Sequence, residues 1–393
     1  MERDPTEERL AQMVDAAART PASDVLGLLD VMRRLLGASA VRFYVADYAL
    51  RCLQQIDRAG NVGEPHRIEG TFVGRVFTAD EVQVSDSAGT EPTTVSLPLM
   101  EGTSRIGVLQ LDYDEWNGVA PDPFDPIVAT FVMSWTLKSR YSDASARARR
   151  AEPMSVEAEV QWDLIPPLSC STPEVALSAI LQPAYEIGGD SFDYAVDAAH
   201  LEFAITDAVG HGLSAVLMSA AAINSLRNAR RAQIGLVAAY EQADRSVAAQ
   251  FGHSNFVTAL MGNLDLQSGV LTWINAGHVL PMLVRNGTFA GTLACKPSRP
   301  LGLGGAVVEV AETSLQRGDR VLFYTDGITE SRSSAGAFFG DDRLADFLVR
   351  AALERPSVHE TVRRLSENVF DFSDGVLRDD ATMLLMEWHG ATP

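Results

Sequence analysis

The sequence is poor in lysine, cysteine and positive charge. Lys138 and Lys296 are its only lysines, and 32 basic residues face 52 acidic ones, a formal net charge of −20. A chain this acidic has no surplus cation to displace counterions from phosphates, which excludes duplex binding and a polybasic membrane-surface role. The three cysteines, Cys52, Cys170 and Cys295, are widely spaced with no C-x-x-C pair. That excludes a disulfide framework and a thiolate zinc site. The opening MERDPTEERL is charged and lacks the apolar core of a secretory signal. The least interrupted apolar stretch, 213–226, contains Ser and Asn and falls short of the ~20 residues a membrane span needs. The expectation is a cytoplasmic protein with no nucleic-acid or membrane partner. What remains is ordinary globular composition, 46% hydrophobic and 21% charged, over 393 residues. That length suits two or three domains of ~100–200 residues.

Hydrophobic periodicity predicts a helix over 8–36, with Leu26, Leu29, Met32 and Leu36 on one stripe. Short strands follow at 40–45, 52–56, 82–84, 95–99 and 106–112, punctuated by Gly60-Asn61, Gly89 and Gly102. This reads as an α+β block with a mostly antiparallel sheet. A second helix starts near Phe124, with Phe124, Ile127, Val128, Phe131 and Trp135 on an apolar stripe, and continues past Tyr141. So wide a stripe needs a cover. The simplest is the sheet plus the same helix of a second protomer, giving a parallel homodimer. Pro153 interrupts, and Val156, Val160 and Leu164 mark a short helix ended by Pro166-Pro167. The predicted organisation is therefore domain 1–140, helical linker 141–166 and domain 167–393. In the last, strands at 258–265, 270–275, 282–285, 307–314, 320–325 and 381–388 accompany helices at 213–233, 236–250, 342–350 and 357–370. Strands grouped apart from paired helices indicate a layered sandwich rather than alternating βαβ units.

The chemistry concentrates in aspartates at strand ends. They stand in Gly189-Asp190, Thr206-Asp207-Ala208-Val209-Gly210-His211-Gly212, Thr325-Asp326-Gly327 and Asp379-Asp380. Asp207 and Asp326 each follow an apolar strand, whereas Asp379-Asp380 precedes one. A carboxylate there is held on a rigid element, and an adjacent glycine lets backbone and ligand approach. Any one of these sites alone would be a turn or a helix cap. Four in one domain are a different matter, because gathered carboxylates repel unless a cation neutralises them. Hard divalent ions such as Mg²⁺ and Mn²⁺ prefer such oxygen ligands. Two ions ~3.5–4 Å apart can stabilise in-line attack on phosphorus.

Rival readings fail on specific residues. Val209 occupies the first glycine that a D-x-G-x-G nucleotide box requires. Cys52 and Arg58 match C-x₅-R, but the intervening LQQID lacks the glycines that present backbone N–H groups to phosphate. His211 and His278 each sit beside glycine in a tight turn, which favours structural roles. The sequence contains no Walker A motif.

Residues 160–390 resemble the metal-dependent serine/threonine phosphatases of the SpoIIE-like bacterial branch. The segments are VQWDLIPP (160–167), LQPAYEIGGDSFDY (181–194), ITDAVGHGLSAVLMSA (205–220), NAGHVLPMLV (275–284), RPLGL (299–303), GDRVLFYTDGITE (318–330) and LRDDATMLLM (377–386). The resemblance implies a four-layer α-β-β-α sandwich with two Mn²⁺ or Mg²⁺ ions at one end. Carried over by motif, Asp207 bridges both metals and the Ala208 carbonyl is a further ligand. Asp190 is the outer acidic position, acting through water, and Asp326 and Asp379 hold the second metal. Asp207 and Asp326 would be the catalytic pair. Asp380 is the alternative to Asp379 in the Asp-Asp pair. Ser191-Phe192 and Val209 depart from the family pattern without removing a ligand.

The N-terminal block resembles a GAF sensor domain in IEGTFVGRVF (68–77), VQVSD (82–86) and SLPLMEGTSRIGVLQLD (96–112), with a PAS-type sensor as competitor. Together the resemblances imply a phosphoserine/phosphothreonine protein phosphatase set by its N-terminal domain through the linker. Its substrate would be a phosphorylated anti-sigma-factor antagonist in a partner-switching pathway. The alternative is a catalytically inert sensor scaffold, against which the complete acidic set argues.

Overall fold

The structure is a computed structural model that describes residues 5–85, 92–186, 188–305 and 307–391. Asp86 at the end of VQVSD, the Gly89 turn and Ile187 within 181–194 lie outside the described residues. The chain divides into two compact units, Met1–Pro153 and Met154–Pro393.

The first unit opens with α1 (Pro5–Arg19), a 3₁₀ segment (Ala22–Gly27) and α2 (Leu28–Leu35). The single helix expected over 8–36 is thus broken. Pro21 adopts an extended conformation at the break and has no N–H to continue the ladder. Then come β1 (Ala40–Ala46), β2 (Cys52–Ile56), β3 (Val62–Arg67), α3 (Phe72–Ala79), β4 (Gln83–Ser85), β5 (Thr93–Glu101) and β6 (Ser104–Tyr113). They form one antiparallel sheet in the order β3-β2-β1-β6-β5-β4.

Next is α4 (Pro126–Ser139), which starts where the Asp125 carboxylate accepts from the Ile127 N–H. Ile127, Val128, Phe131 and Trp135 are buried in the core shared with α1, α2, β1 and β5. The Phe43 ring meets those of Phe131 and Trp135 edge-on at 5.3 and 5.1 Å. The unit's own sheet and helices therefore cover the stripe, without a second protomer. Phe124 lies outside the helix and is exposed, as are Met133 and Leu137 on the far side of α4. The helix also stops before Tyr141. A turn leads to α5 (Ala144–Arg149), which packs on β1 and β2. There Gln54 donates to the Ala148 carbonyl at 3.1 Å, and Arg149 lies over the Tyr48 ring.

The second unit begins with α6 (Val156–Leu164), β7 (Ser169–Ser171), β8 (Val175–Gln182), β9 (Asp190–Val196), β10 (His200–Ala208), α7 (Leu213–Arg231) and α8 (Leu236–Phe251). It continues through β11 (Val257–Asp265), β12 (Val270–Ala276), β13 (Met282–Arg285), β14 (Thr288–Thr292) and β15 (Ala311–Ser314). It ends with β16 (Arg320–Tyr324), α9 (Asp326–Thr329), α10 (Gly340–Glu354), α11 (Val358–Phe372) and β17 (Ala381–Trp388). Two antiparallel sheets result, β15-β12-β11-β10-β9 and β14-β13-β16-β17-β8-β7. The strand expected at 307–314 is cut to β15, because only its four residues pair with β12.

Alternation along the strands dictates the layers. On β10, Phe203 and Ile205 enter the core between the sheets, whereas Ala204 and Ala208 pack beneath α7 and α8. From the other sheet Val321, Phe323, Leu384 and Met386 meet them, with the Phe203 and Phe323 centroids 4.4 Å apart. Helices α10 and α11 pack on the second sheet. The order of layers is therefore helix, sheet, sheet, helix. Buried Asp193 of β9 ties α7 down by accepting from Arg227 and Arg230.

Candidate metal centre

The inward alternation that fills the core also delivers the carboxylates. Phe203, Ile205 and Asp207 share one face of β10, so Asp207 sits where the hydrophobic core runs out. Asp190, the first residue of β9, is its direct cross-strand partner. Paired residues put their side chains on the same face. In the opposite sheet, β16 runs Val321, Phe323 and then Thr325 on its inward side, and Asp326 opens α9. On β17, Met386, Leu384 and Thr382 face inward, and stepping back by two reaches Asp380. The structure thus gathers Asp190, Asp207, Asp326, Asp379 and Asp380 around one end of the sandwich.

Hydrogen bonds lock several of them. Asp190 is only 2% exposed, and its carboxylate accepts from the Thr325 hydroxyl at 2.6 Å, across the two sheets. Thr325 in turn accepts from the Thr382 N–H at 3.0 Å. The Asp190 carbonyl accepts from the side-chain amide of Gln161 on α6. The Asp380 carboxylate accepts from the backbone N–H groups of Gly188 and Asp190 at 2.9 and 3.2 Å. Asp379 is exposed and accepts from the Asp380 N–H at 2.9 Å. The Ala208 carbonyl ends β10 against Gly189, where a Cβ would lie only 2.4 Å from its oxygen.

Burial and mutual repulsion push these carboxyls up. Asp207 rises to about 6, first through burial and then through the charges of Asp326, Asp379 and Asp380. Asp190 is raised by burial, then by Asp380 and Asp207. Asp326 is raised by burial, then by Glu330 and Asp379. An all-oxygen donor set that suffers its own negative charge fits a hard divalent cation. Among the described residues, no three His, Cys, Asp or Glu side chains converge into a group that could hold an ion by themselves.

The other candidates fall away from the chemistry. His278 is buried, and its Nε2 faces the Tyr324 carbonyl at 3.1 Å. A carbonyl only accepts, so Nε2 carries the proton and Nδ1 accepts from the Thr258 hydroxyl at 2.8 Å. Burial lowers its pKa to about 4, which keeps this imidazole neutral and structural. His211 is exposed in the turn between β10 and α7. Burial pushes the Cys52 thiol up to about 12 and raises Cys170 and Cys295 as well. Sequence reasoning missed Thr325, Gln161 and Glu330. Gln161 lies off the Val156, Val160 and Leu164 stripe, and the helix instead buries Ala158 and Gln161, so periodicity gave no signal for it.

A family model described as stage II sporulation protein E (SpoIIE) matches residues 197–389. The phosphoserine phosphatase RsbU of Bacillus subtilis (strain 168) is 23% identical over 243 residues, 59% of this chain and 69% of RsbU. The phosphoserine phosphatase RsbP of the same organism is 23% identical over 171 residues, 42% of each chain. Among solved structures, the RsbU and RsbW domains of Rv1364c from Mycobacterium tuberculosis are 29% identical with a TM-score of 0.50. That match covers 57% of this chain and 63% of the solved one. With its carboxylates at the strand ends of a helix–sheet–sheet–helix sandwich, the C-terminal unit carries a SpoIIE-family domain of the PPM-type serine/threonine phosphatases.

Proposed function

We propose that this protein hydrolyses phosphoserine and phosphothreonine on a partner protein, using two Mn²⁺ or Mg²⁺ ions. The observation that carries this reading is the group of mutually repelling aspartates at one end of a PPM-type domain. Asp207 and the Ala208 carbonyl would hold metal with Asp190 on one side and with Asp326 and Asp379 on the other. Bound there, such ions would supply activated water and stabilise in-line attack on phosphorus. The chain's own residues orient the site. Thr325 fixes the Asp190 carboxylate, Gln161 fixes its backbone, and paired strands fix Asp207. No low-pKa thiol stands by to act as nucleophile, and on this reading water takes that role, with no phosphoenzyme.

The substrate class is a phosphorylated anti-sigma-factor antagonist in a partner-switching pathway, in a cytoplasmic setting. Two relatives bear the name phosphoserine phosphatase, which supports the first half of that reading. Among the described residues no helix is long and apolar enough to cross a membrane. The experiment is phosphate release from phosphoserine-bearing antagonist proteins with and without Mn²⁺. Release should require metal, exceed that from phosphotyrosine, and leave no covalent phosphate on the protein after quenching in acid or in alkali. Metal-independent turnover, or a trapped phosphocysteine or phosphohistidine, would refute it.

We also assign the first unit as a GAF-like sensor that sets phosphatase activity and forms a homodimer. Its six-stranded antiparallel sheet with α3 and the α1–α2–α4 layer supports the sensor assignment. The dimer rests on the outer face of α4, where Met133 and Leu137 are 64% and 59% exposed one turn apart. Regulation would act through α6, since Gln161 holds the backbone of Asp190. A chain beginning at Met154 should sediment as a monomer and turn over a phosphopeptide several-fold differently at saturating Mn²⁺. An unchanged rate in a truncated protein that still dimerises would overturn both ideas.

A further inference from the structure

The geometry points to Asp380 as a positioning residue rather than a metal ligand: its carboxylate clamps the Gly188–Gly189–Asp190 turn that carries the outer acidic group. This rests on reading the site as a metal centre, and it divides the adjacent Asp379-Asp380 pair by role. Both oxygens of Asp380 are engaged. The Gly188 N–H lies 2.9 Å from each, and the Asp190 N–H lies 3.2 Å from Oδ2. Successive N–H groups directed at one carboxylate make an anion nest from the chain itself. Turning Asp380 toward a cation would strip these half-buried donors of their acceptor.

The packing around Asp380 is shaped for this. A Cβ on Gly188 would stand 2.7 Å from Oδ2, so glycine is what admits the carboxylate. On its other side the Asp380 carbonyl oxygen lies where a Cβ on Gly327 would come within 1.8 Å. Asp380 is therefore wedged between the turn that carries Asp190 and the turn that carries Asp326. Strand alternation puts it on the inward face with Thr382 and Leu384. Asp379, off that face and exposed, bonds only the neighbouring Asp380 N–H among the hydrogen bonds described for it. Asp379 is left to meet a cation.

The test uses the full chain with Asp380→Asn, Asp380→Ala and Asp379→Asn. In metal-free protein, hydrogen exchange at the Gly188 and Asp190 amides should accelerate at least about tenfold in Asp380→Ala, the scale of a lost charge-assisted bond. In Asp380→Asn an amide oxygen still accepts in place of Oδ2, so exchange should change by about fivefold or less. Asp379→Asn should leave these amides unaltered. Calorimetric titration with Mn²⁺ should show Asp380→Ala weakened about 10- to 100-fold, as expected for a group that orients a ligand. Asp380→Asn should bind much more tightly than Asp379→Asn. If Asp380→Ala does not fold, the comparison of the two asparagine variants still decides. Equal loss of Mn²⁺ binding in both, with the turn amides still protected, would overturn the clamp and make Asp380 a ligand. Absence of Mn²⁺ binding in the wild type would overturn the metal reading instead, and the metal-free exchange would still judge the clamp.

Discussion

Asp207→Asn and Asp326→Asn are each expected to lower Mn²⁺-dependent phosphate release by more than about 10²-fold, the scale of losing one preorganised electrostatic group. The fold should survive, because neither side chain holds a core contact. Asp207 continues the inward face of β10 past the last hydrophobic residue, and Asp326 opens the short α9. Metal-free protein should even gain stability from Asp207→Asn. The folded-state pKa of Asp207 is raised from 3.8 to about 6, so folding takes up a proton between those values. Stability from this group is full below the unfolded pKa and is lost as pH rises through about 6. Wild type without metal should therefore lose stability relative to Asp207→Asn between about pH 4 and about pH 7. Added Mn²⁺ should raise the wild-type melting temperature more at about pH 7.5 than at about pH 5, where protons compete for the carboxylates. Thermal melts with Mn²⁺ or EDTA at the two pH values, paired with phosphopeptide turnover, check both halves. Wild-type rates in either variant at excess Mn²⁺ would sink the site.

Gly327→Ala should be nearly as damaging for a different reason. Gly327 is buried in the first turn of α9, and an added Cβ would lie 1.8 Å from the Asp380 carbonyl oxygen and 2.8 Å from its carbon. Both atoms are backbone, so no rotamer change can relieve the clash. Either α9 lifts away or the start of β17 shifts, and each movement separates Asp326 from Asp379. Overpacking of this kind costs about 1–3 kcal/mol or more. Mn²⁺ affinity should fall by about 10- to 100-fold, as for other losses of ligand orientation. Urea unfolding and calorimetric Mn²⁺ titration measure the two effects. A variant with unchanged stability and unchanged Mn²⁺ affinity would show that the close approach of α9 and β17 does not govern the site.

The contrast between Asp326 and Asp380 shows where local reading ends. Asp207 and Asp326 were legible because each follows an alternating apolar strand and precedes a glycine-bearing turn, signals that occupy fewer than ten residues. The strands of the sandwich and the pair α7–α8 were legible for the same reason, since their periods are local. So was the apolar stripe of α4, but not its cover. Ile127, Phe131 and Trp135 find partners such as Phe43 and Met32, far away along the chain, and periodicity names a buried face without naming what buries it. The long helix over 8–36 failed at Pro21, where one missing N–H outweighs a favourable stripe. By itself the sequence determined which aspartates stand at strand ends and in which layers they would lie. Tertiary structure alone decided which groups those residues meet. Asp380 meets Gly188 across 192 positions of sequence, Thr325 meets Asp190 across 135, and Gln161 reaches Asp190 from a separate helix. Such contacts depend on register between strands that pair late in the sequence, and no local pattern encodes a register.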